Sequence, residues 1–429
     1  MRAPALRGRA RRTGGIRSRN AGTGICAVVR HSGKPARTPV TREAGETANP
    51  SETLPPFPRL FETRRDRIVN RLVARAPNPD ANLALSITGE LAVSGIRWDD
   101  GDDVFWRVGD NTADTTLLNA TATWTASEAV RVRLIYEAGY PWNSTGSATQ
   151  NDDIVAARGV QNRRAQVVID YDRFGTLYVG KGSNATDNLT QNDLSGTESL
   201  MHSNIADIGG GFQMRRSDGT LSDATIGNIF DNFDGDRESR LRYDSPEWNR
   251  LTASLSRDAA GRNEVTLRYR RGEGRTTRRN GADFELGAGV SVARTEVLLL
   301  GSATQTVAKL GPGAVEAVLA GGYRWARAGA PAPDTATVGA PRDAGYLYAK
   351  LGWRGDLVAL GETALSVDGR LGGGSFDRVS SSNTLGVQLA QALGTDAAHL
   401  LAGVRLHDVG GPADLRQSSV VELGTILRF

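Results

Sequence analysis

Cysteine is nearly absent: Cys26 is the only one in 429 residues, so the chain can form neither an intramolecular disulfide nor a thiolate metal cluster. Four histidines leave little for metal or Ser-His-Asp chemistry. No G-x-S-x-G occurs, and the glycine triplets at 209–211 and 372–374 lack the lysine of a phosphate loop. His399 and His407 fall on the same strand face as Arg405, with no nucleophile beside them, and read as polar lining. Long apolar runs are missing too. TEVLLLG and AVEAVLAGGY fall far short of the ~18 residues that a spanning helix needs. Helices are thereby excluded as the means of crossing a bilayer, but strands are not, because a strand spans with about 9 to 11 residues and one apolar face. Acids are missing from residues 1–42, where arginine is frequent, so the formal charge of +4 is local and gives no support to nucleic-acid binding by the rest of the chain.

The first 59 residues carry no apolar period of 2 or 3.6 and read as a disordered extension or a mispredicted start. An export signal would show a basic region, 7 to 15 apolar residues and a small-residue cleavage site; GTGICAVV is too short and glycine-rich for the apolar part. The expectation is that the true signal is lost from this start. Mass spectrometry of the mature N-terminus tests it, and peptides from residues 1–59 would refute it. Residues 60–81 form an uncertain linker, with Ile68, Val69, Leu72 and Val73 at helical spacing.

From Asn82 the period becomes 2. VRVRLIYEAGY sets Val130, Val132, Leu134 and Tyr136 against Arg131, Arg133 and Glu137, and EVTLRYRRG sets Val265, Leu267 and Tyr269 against Thr266, Arg268 and Arg270. Sixteen such segments run from 82–93 and 115–125 to 398–407 and 418–429. Short turns, 172–175 and 257–263, contrast with loops such as 327–343, the asymmetry of a bacterial barrel. The fold class expected is all-β, an antiparallel transmembrane β-barrel of 16 strands over residues 82–429. A soluble sandwich would alternate as well, with its apolar faces inward. Trp98, Trp106, Trp124, Tyr140, Trp142, Tyr346 and Trp353 sit near strand ends or outer faces and suit interfacial girdles.

The terminal VVELGTILRF puts Val421, Leu423, Thr425, Leu427 and Phe429 on one face. It resembles the closing strand of outer-membrane barrels, which implies that Phe429 is read by the barrel-insertion machinery. YDRFGTLYVGKGSNATDNLTQNDLSGT (171–197) and IGNIFDNFDGDRESRLRYDSPEWNRLTASLS (226–256) resemble the general Gram-negative porins, alphaproteobacterial type. That resemblance implies an outer-membrane homotrimer in lipid, passing small hydrophilic solutes, with a long third loop (181–239) folded into the barrel.

Independently, a polar segment of that length is improbable as an idle connection. If it lies inside, Asp187, Asp193, Glu198 and Asp207 would face Arg131, Arg133, Arg240, Arg242 and Arg268 across the opening, and the field between them would sort solutes by charge and dipole. No catalytic residue and no cofactor is expected. A structural calcium at Asp231, Asn232, Asp234 and Asp236 is weighed against a turn, because the ligand order and closing Glu of an EF-hand are missing. The rival functions are a barrel enzyme and a soluble carbohydrate-binding sandwich.

Overall fold

The computed structural model describes residues 82–152, 159–271, 284–327, 343–375, 380–412 and 414–429. The expectations for residues 1–59 and 60–81 therefore lie outside the described residues. The chain runs through β1 (Leu83–Asp99), β2 (Val104–Asp110), β3 (Leu117–Ser127), β4 (Val130–Gly139), β5 (Gln161–Tyr171) and β6 (Gly175–Ser183). A small hairpin, β7 (Gln213–Arg215) and β8 (Leu221–Thr225), and a single helical turn, Ile226–Ile229, follow inside the next loop. Then come β9 (Arg237–Asp244), β10 (Leu251–Asp258), β11 (Asn263–Arg271), β12 (Phe284–Val292), β13 (Glu296–Leu310), β14 (Gly313–Ala326), β15 (Ala344–Val358), β16 (Gly361–Gly373), β17 (Ser381–Leu393), β18 (Thr395–Gly410) and β19 (Ser418–Arg428).

Seventeen strands form one antiparallel sheet that closes on itself, because β1 pairs with β19 from Glu90↔Arg428 to Asp99↔Ser419. Phe429 adds one more rung, exchanging backbone bonds of 2.8 and 2.9 Å with Gly89. A Cβ at position 89 would stand 2.3 Å from the Phe429 ring, so the terminal ring lies directly over this glycine and a larger residue would displace it. β2 pairs with one half of β1 and β3 with the other, so the two share a single place in the wall and the barrel has 16 positions. The sequence reading reached that number without seeing β2, since VFWRVGD is a short continuation of the same wall segment and not a new one. The strand directions place the four-residue turn 259–262 at the end of the barrel that also bears the long loops; the segments at 128–129, 172–174, 311–312 and 359–360 lie at the other end.

Burial settles which face is inward. Along β17, Leu385, Val387 and Leu389 are exposed while Ser382, Thr384 and Gln388 are buried. β15 repeats this, with Leu347 and Leu351 outside and Tyr348 and Lys350 inside. A water-soluble sandwich has the opposite arrangement, and monomeric soluble proteins rarely carry an unbroken apolar band of this kind. Trp106, Trp124 and Tyr140 are exposed as the girdle expectation requires. Trp98 and Tyr346 depart from it: both are buried inside the barrel, where the folded loop supplies aromatic partners, Phe212 for Trp98 and Phe233 for Tyr346.

Leu385→Arg, on the outward face of β17, should cost about 2–4 kcal/mol in a bilayer if it lies near the midplane. Denaturant unfolding in lipid vesicles measures it; a variant as stable as the parent would mean that the face is not in lipid.

Candidate functional site

The segment between β6 and β9 is the third connection at the long-loop end, and it lies inside the barrel. Its residues 184–236 have a core of their own: Leu200, Met201, Ile205, Ile208, Phe212, Met214, Ile226, Ile229 and Phe230 are almost wholly buried. These side chains pack against the inner wall. Trp98 stacks on Phe212 at 4.7 Å and 11°, and His407 lies between Trp98 (5.2 Å) and Phe230 (5.5 Å). Glycine marks places where the loop comes closest. A Cβ at Gly287 or Gly289 would be 2.7 Å from Leu189, and one at Gly403 would be 2.9 Å from Met201.

Polar anchors fix the register of the loop. The Lys350 ammonium, fully buried, donates to Asp193 at 2.6 Å and to the Met201 carbonyl at 2.7 Å. Burial alone would raise the Asp193 carboxyl, but the Lys350 charge and hydrogen bonds from Lys350 and Ser195 outweigh it and hold the group below its ordinary range. Thr197 meets Ser366 at 2.6 Å, and Asp368 collects Arg405 (2.6 Å), Gln388 (2.7 Å) and the Tyr348 hydroxyl (3.1 Å). Asn111, at the break between β2 and β3, donates to Ser94, to the Ser199 carbonyl and to Glu422. The second loop joins in: the Gln150 amide donates to the Gln213 carbonyl at 2.6 Å and accepts from its N–H at 3.0 Å.

The inward faces of β4, β5 and β9 carry arginine in place of these seats, and β6 between them supplies Tyr178. Arg133 makes a bidentate pair with Asp170 at 2.8 and 3.0 Å, and Glu137 accepts from Arg163 at 2.9 Å with Arg164 at 3.6 Å. Arg240 and Arg242 both lie over the Tyr178 ring, at 5.6 and 5.3 Å. Arg240 donates to the carbonyls of Gly180 and Ser183, while Arg242 pairs with Asp244 at 2.8 Å and donates to the Asn184 carbonyl where the loop begins. Arg131 is exposed near the turn end. Arg268 donates to the Asp187 carbonyl at 3.4 Å.

The acidic candidates are dispersed along the loop. Asp187 is at its root, bridged to Gly235 and 3.9 Å from Arg237, close to Arg268 and Arg242. Asp193 is on the opposite wall with Lys350, and Asp207 is held by His202 at 3.0 Å and Asn204 at 2.9 Å. Glu198 lines a cavity beneath the loop. Thus the geometry unites Asp187 with the basic wall and gives Asp193 and Asp207 partners elsewhere. Asp231 and Asn232 accept from the N–H groups of Phe233 and Asp234 in tight turns, and burial pushes Asp234 well above the usual carboxylate value. Lys350, Asn111 and the Asp368 cluster were missed by the sequence reading. A lone lysine on the inward face of β15, two residues before Gly352, was the available signal.

Three solved structures of known proteins share this architecture. The anion-selective porin from Comamonas acidovorans superposes with a TM-score of 0.52 at 13% identity, covering 81% of this chain and 100% of that one. The fold is that of the porins. The outer membrane channel DcaP of Acinetobacter baumannii gives 0.51 at 9% identity over 83% of this chain and 100% of its own. In-vitro folded OmpT of Vibrio cholerae, in its trimer form, gives 0.51 at 9% over 82% and 100%. No protein-family model matches the chain, and no curated protein sequence matches it.

Lys350→Met should destabilise the folded barrel by about 3–5 kcal/mol, because it leaves the Asp193 carboxylate buried and unpaired. Adding Asp193→Asn to it should recover part of the loss, read from unfolding midpoints in detergent as a double-mutant cycle. In the parent, the depressed folded pKa means that this contribution is present above the usual value of 3.8 and is lost only as pH falls through the lower folded value.

Proposed function

We propose that this protein is a passive diffusion channel for small hydrophilic solutes and ions in the outer membrane of a Gram-negative bacterium. One observation carries the reading: the barrel presents leucine and valine outward, and its inner loop is seated on one part of the wall while the arginine-bearing strands β4, β5 and β9 remain part-exposed on the inside. Such a wall replaces some of the hydration of a passing solute, and the Asp187 region of the loop opposes it with negative charge. Diffusion down a gradient needs no catalytic group and no cofactor.

Membership of the alphaproteobacterial general porins is supported by the segments 171–197 and 226–256. A homotrimer is supported by the trimer form of the Vibrio protein and by a shallow outer groove between Leu85, Ala120, Ala122, Leu134 and Val167, whose small residues let a neighbouring wall approach. Within the lumen, Asp187, Glu198, Arg131, Arg133, Arg240, Arg242 and Arg268 are the residues assigned to selectivity, and Asp193 and Asp207 act by holding the loop. Recognition of Phe429 by the insertion machinery rests on the closing-strand resemblance.

Planar-bilayer recording of the refolded protein should show discrete conductance steps, and Arg131→Glu should move the reversal potential towards cation preference. An unchanged potential would remove Arg131 from the permeation path, and a protein that stays soluble without detergent and yields no steps would sink the channel reading.

A further inference from the structure

His407 lies at the centre of the seat that β1 and β18 offer the loop core. Its ring is fully buried between Trp98 at 5.2 Å and Phe230 at 5.5 Å, and neither ring nitrogen reaches a hydrogen-bond partner. The residues opposite it on the neighbouring strands are hydroxyls, Thr384 on β17 and Ser418 on β19. The Ser418 hydroxyl turns to the Met214 sulfur at 3.4 Å, and the Thr384 oxygen is buried without a partner. A histidine is a costly residue for such a place, because a buried polar ring that bonds to nothing forfeits its hydration. A phenylalanine would stack there without that loss.

The charged groups around this ring are cations, or carboxylates already engaged. On the same strand face, Arg405 pairs with Asp368 of β16 at 2.6 Å, while Asp408 is exposed on the opposite, outward face. Arg370 of β16, one strand beyond Thr384, holds its guanidinium 5.3 Å over Phe230. Glu422 of β19 accepts from Asn111 at 3.2 Å, and Asp100, just past the end of β1, is bound by Arg215 of β7 at 2.8 Å. Within the loop, Asp231 faces Arg324 at 3.4 Å. A proton added to the imidazole would place a further cation among apolar rings with no free carboxylate to receive it. The seat fits the uncharged ring, whereas an imidazole in water takes up its proton near pH 6.5.

We propose that His407 is an acid-sensitive catch for the inner loop: its protonation releases residues 200–230 from β1 and β18 and leaves the barrel wall intact. Protons bind the released state in preference to the seated one, so each pH unit below about 6.5 favours release about tenfold. Above that pH the catch is silent. Such a catch goes beyond passive diffusion, because it makes the passage answer to the acidity of the medium.

Backbone amide exchange of the full chain in lipid vesicles, read by mass spectrometry at pH 7.5 and pH 5.0 and corrected for intrinsic exchange rates, tests the catch whether or not the protein conducts. In the parent, peptides from 200–230 should exchange about thirtyfold faster at pH 5.0, with β12 to β17 unchanged. His407→Phe and His407→Gln, which cannot take up the proton, should each abolish that dependence, and either one that folds suffices. In planar bilayers the same acidification should interrupt the parent current and leave that of the variants steady. Loop exchange that does not respond to pH in the parent, or that accelerates equally in the variants, overturns the catch. Acceleration of the barrel strands together with the loop means unfolding of the whole barrel and overturns it as well.

Discussion

A strand in hydrocarbon has no water to bond its backbone, so every N–H and C=O must find a partner within the protein. The pairing of β1 with β19 meets that demand, because it removes the two edges that an open sheet of this size would leave in lipid. Everything else follows from closure. Once the sheet is a cylinder, each strand has an outer face fixed by lipid and an inner face free to vary. The inner face can then be written in two ways: as glycine and small polar residues where a loop is seated, or as arginine where the lumen stays open.

That division explains the behaviour of the loop. Its apolar side chains would be a liability in a soluble loop, yet here they form a second core between Trp98 on β1 and His407 on β18. The bonds that fix it are mostly single polar contacts to inward residues, such as Lys350 with Asp193 and Ser366 with Thr197. Buried pairs of this type contribute less to net stability than to a unique register, since their desolvation offsets much of their attraction.

The barrel was legible because period 2 is a local property: Val130, Val132 and Leu134 against Arg131 and Arg133 need no knowledge of distant partners. The inward direction was not, since alternation is the same for a sandwich and a pore. The site was legible in part. Arg133, Arg240 and Arg242 declare themselves by lying on polar strand faces. Which loop carboxylate each would meet depends on how 53 residues of loop fold, and nothing periodic encodes that. Asp193 and Asp187 look alike in sequence, yet one is matched to Lys350 across the lumen and the other remains at the loop root. Trp98 and Tyr346 show the same limit, since an aromatic near a strand end can face headgroups or a folded loop.

The stack of Trp98, Phe212 and His407 joins one of the first described strands, the middle of the loop and one of the last strands. These partners are so far apart along the chain that the loop core cannot be completed by any local segment. The loop core therefore has a complete surface to settle on only where β1 and β18 stand together in the closed wall, so the filling of the cylinder depends on its closure.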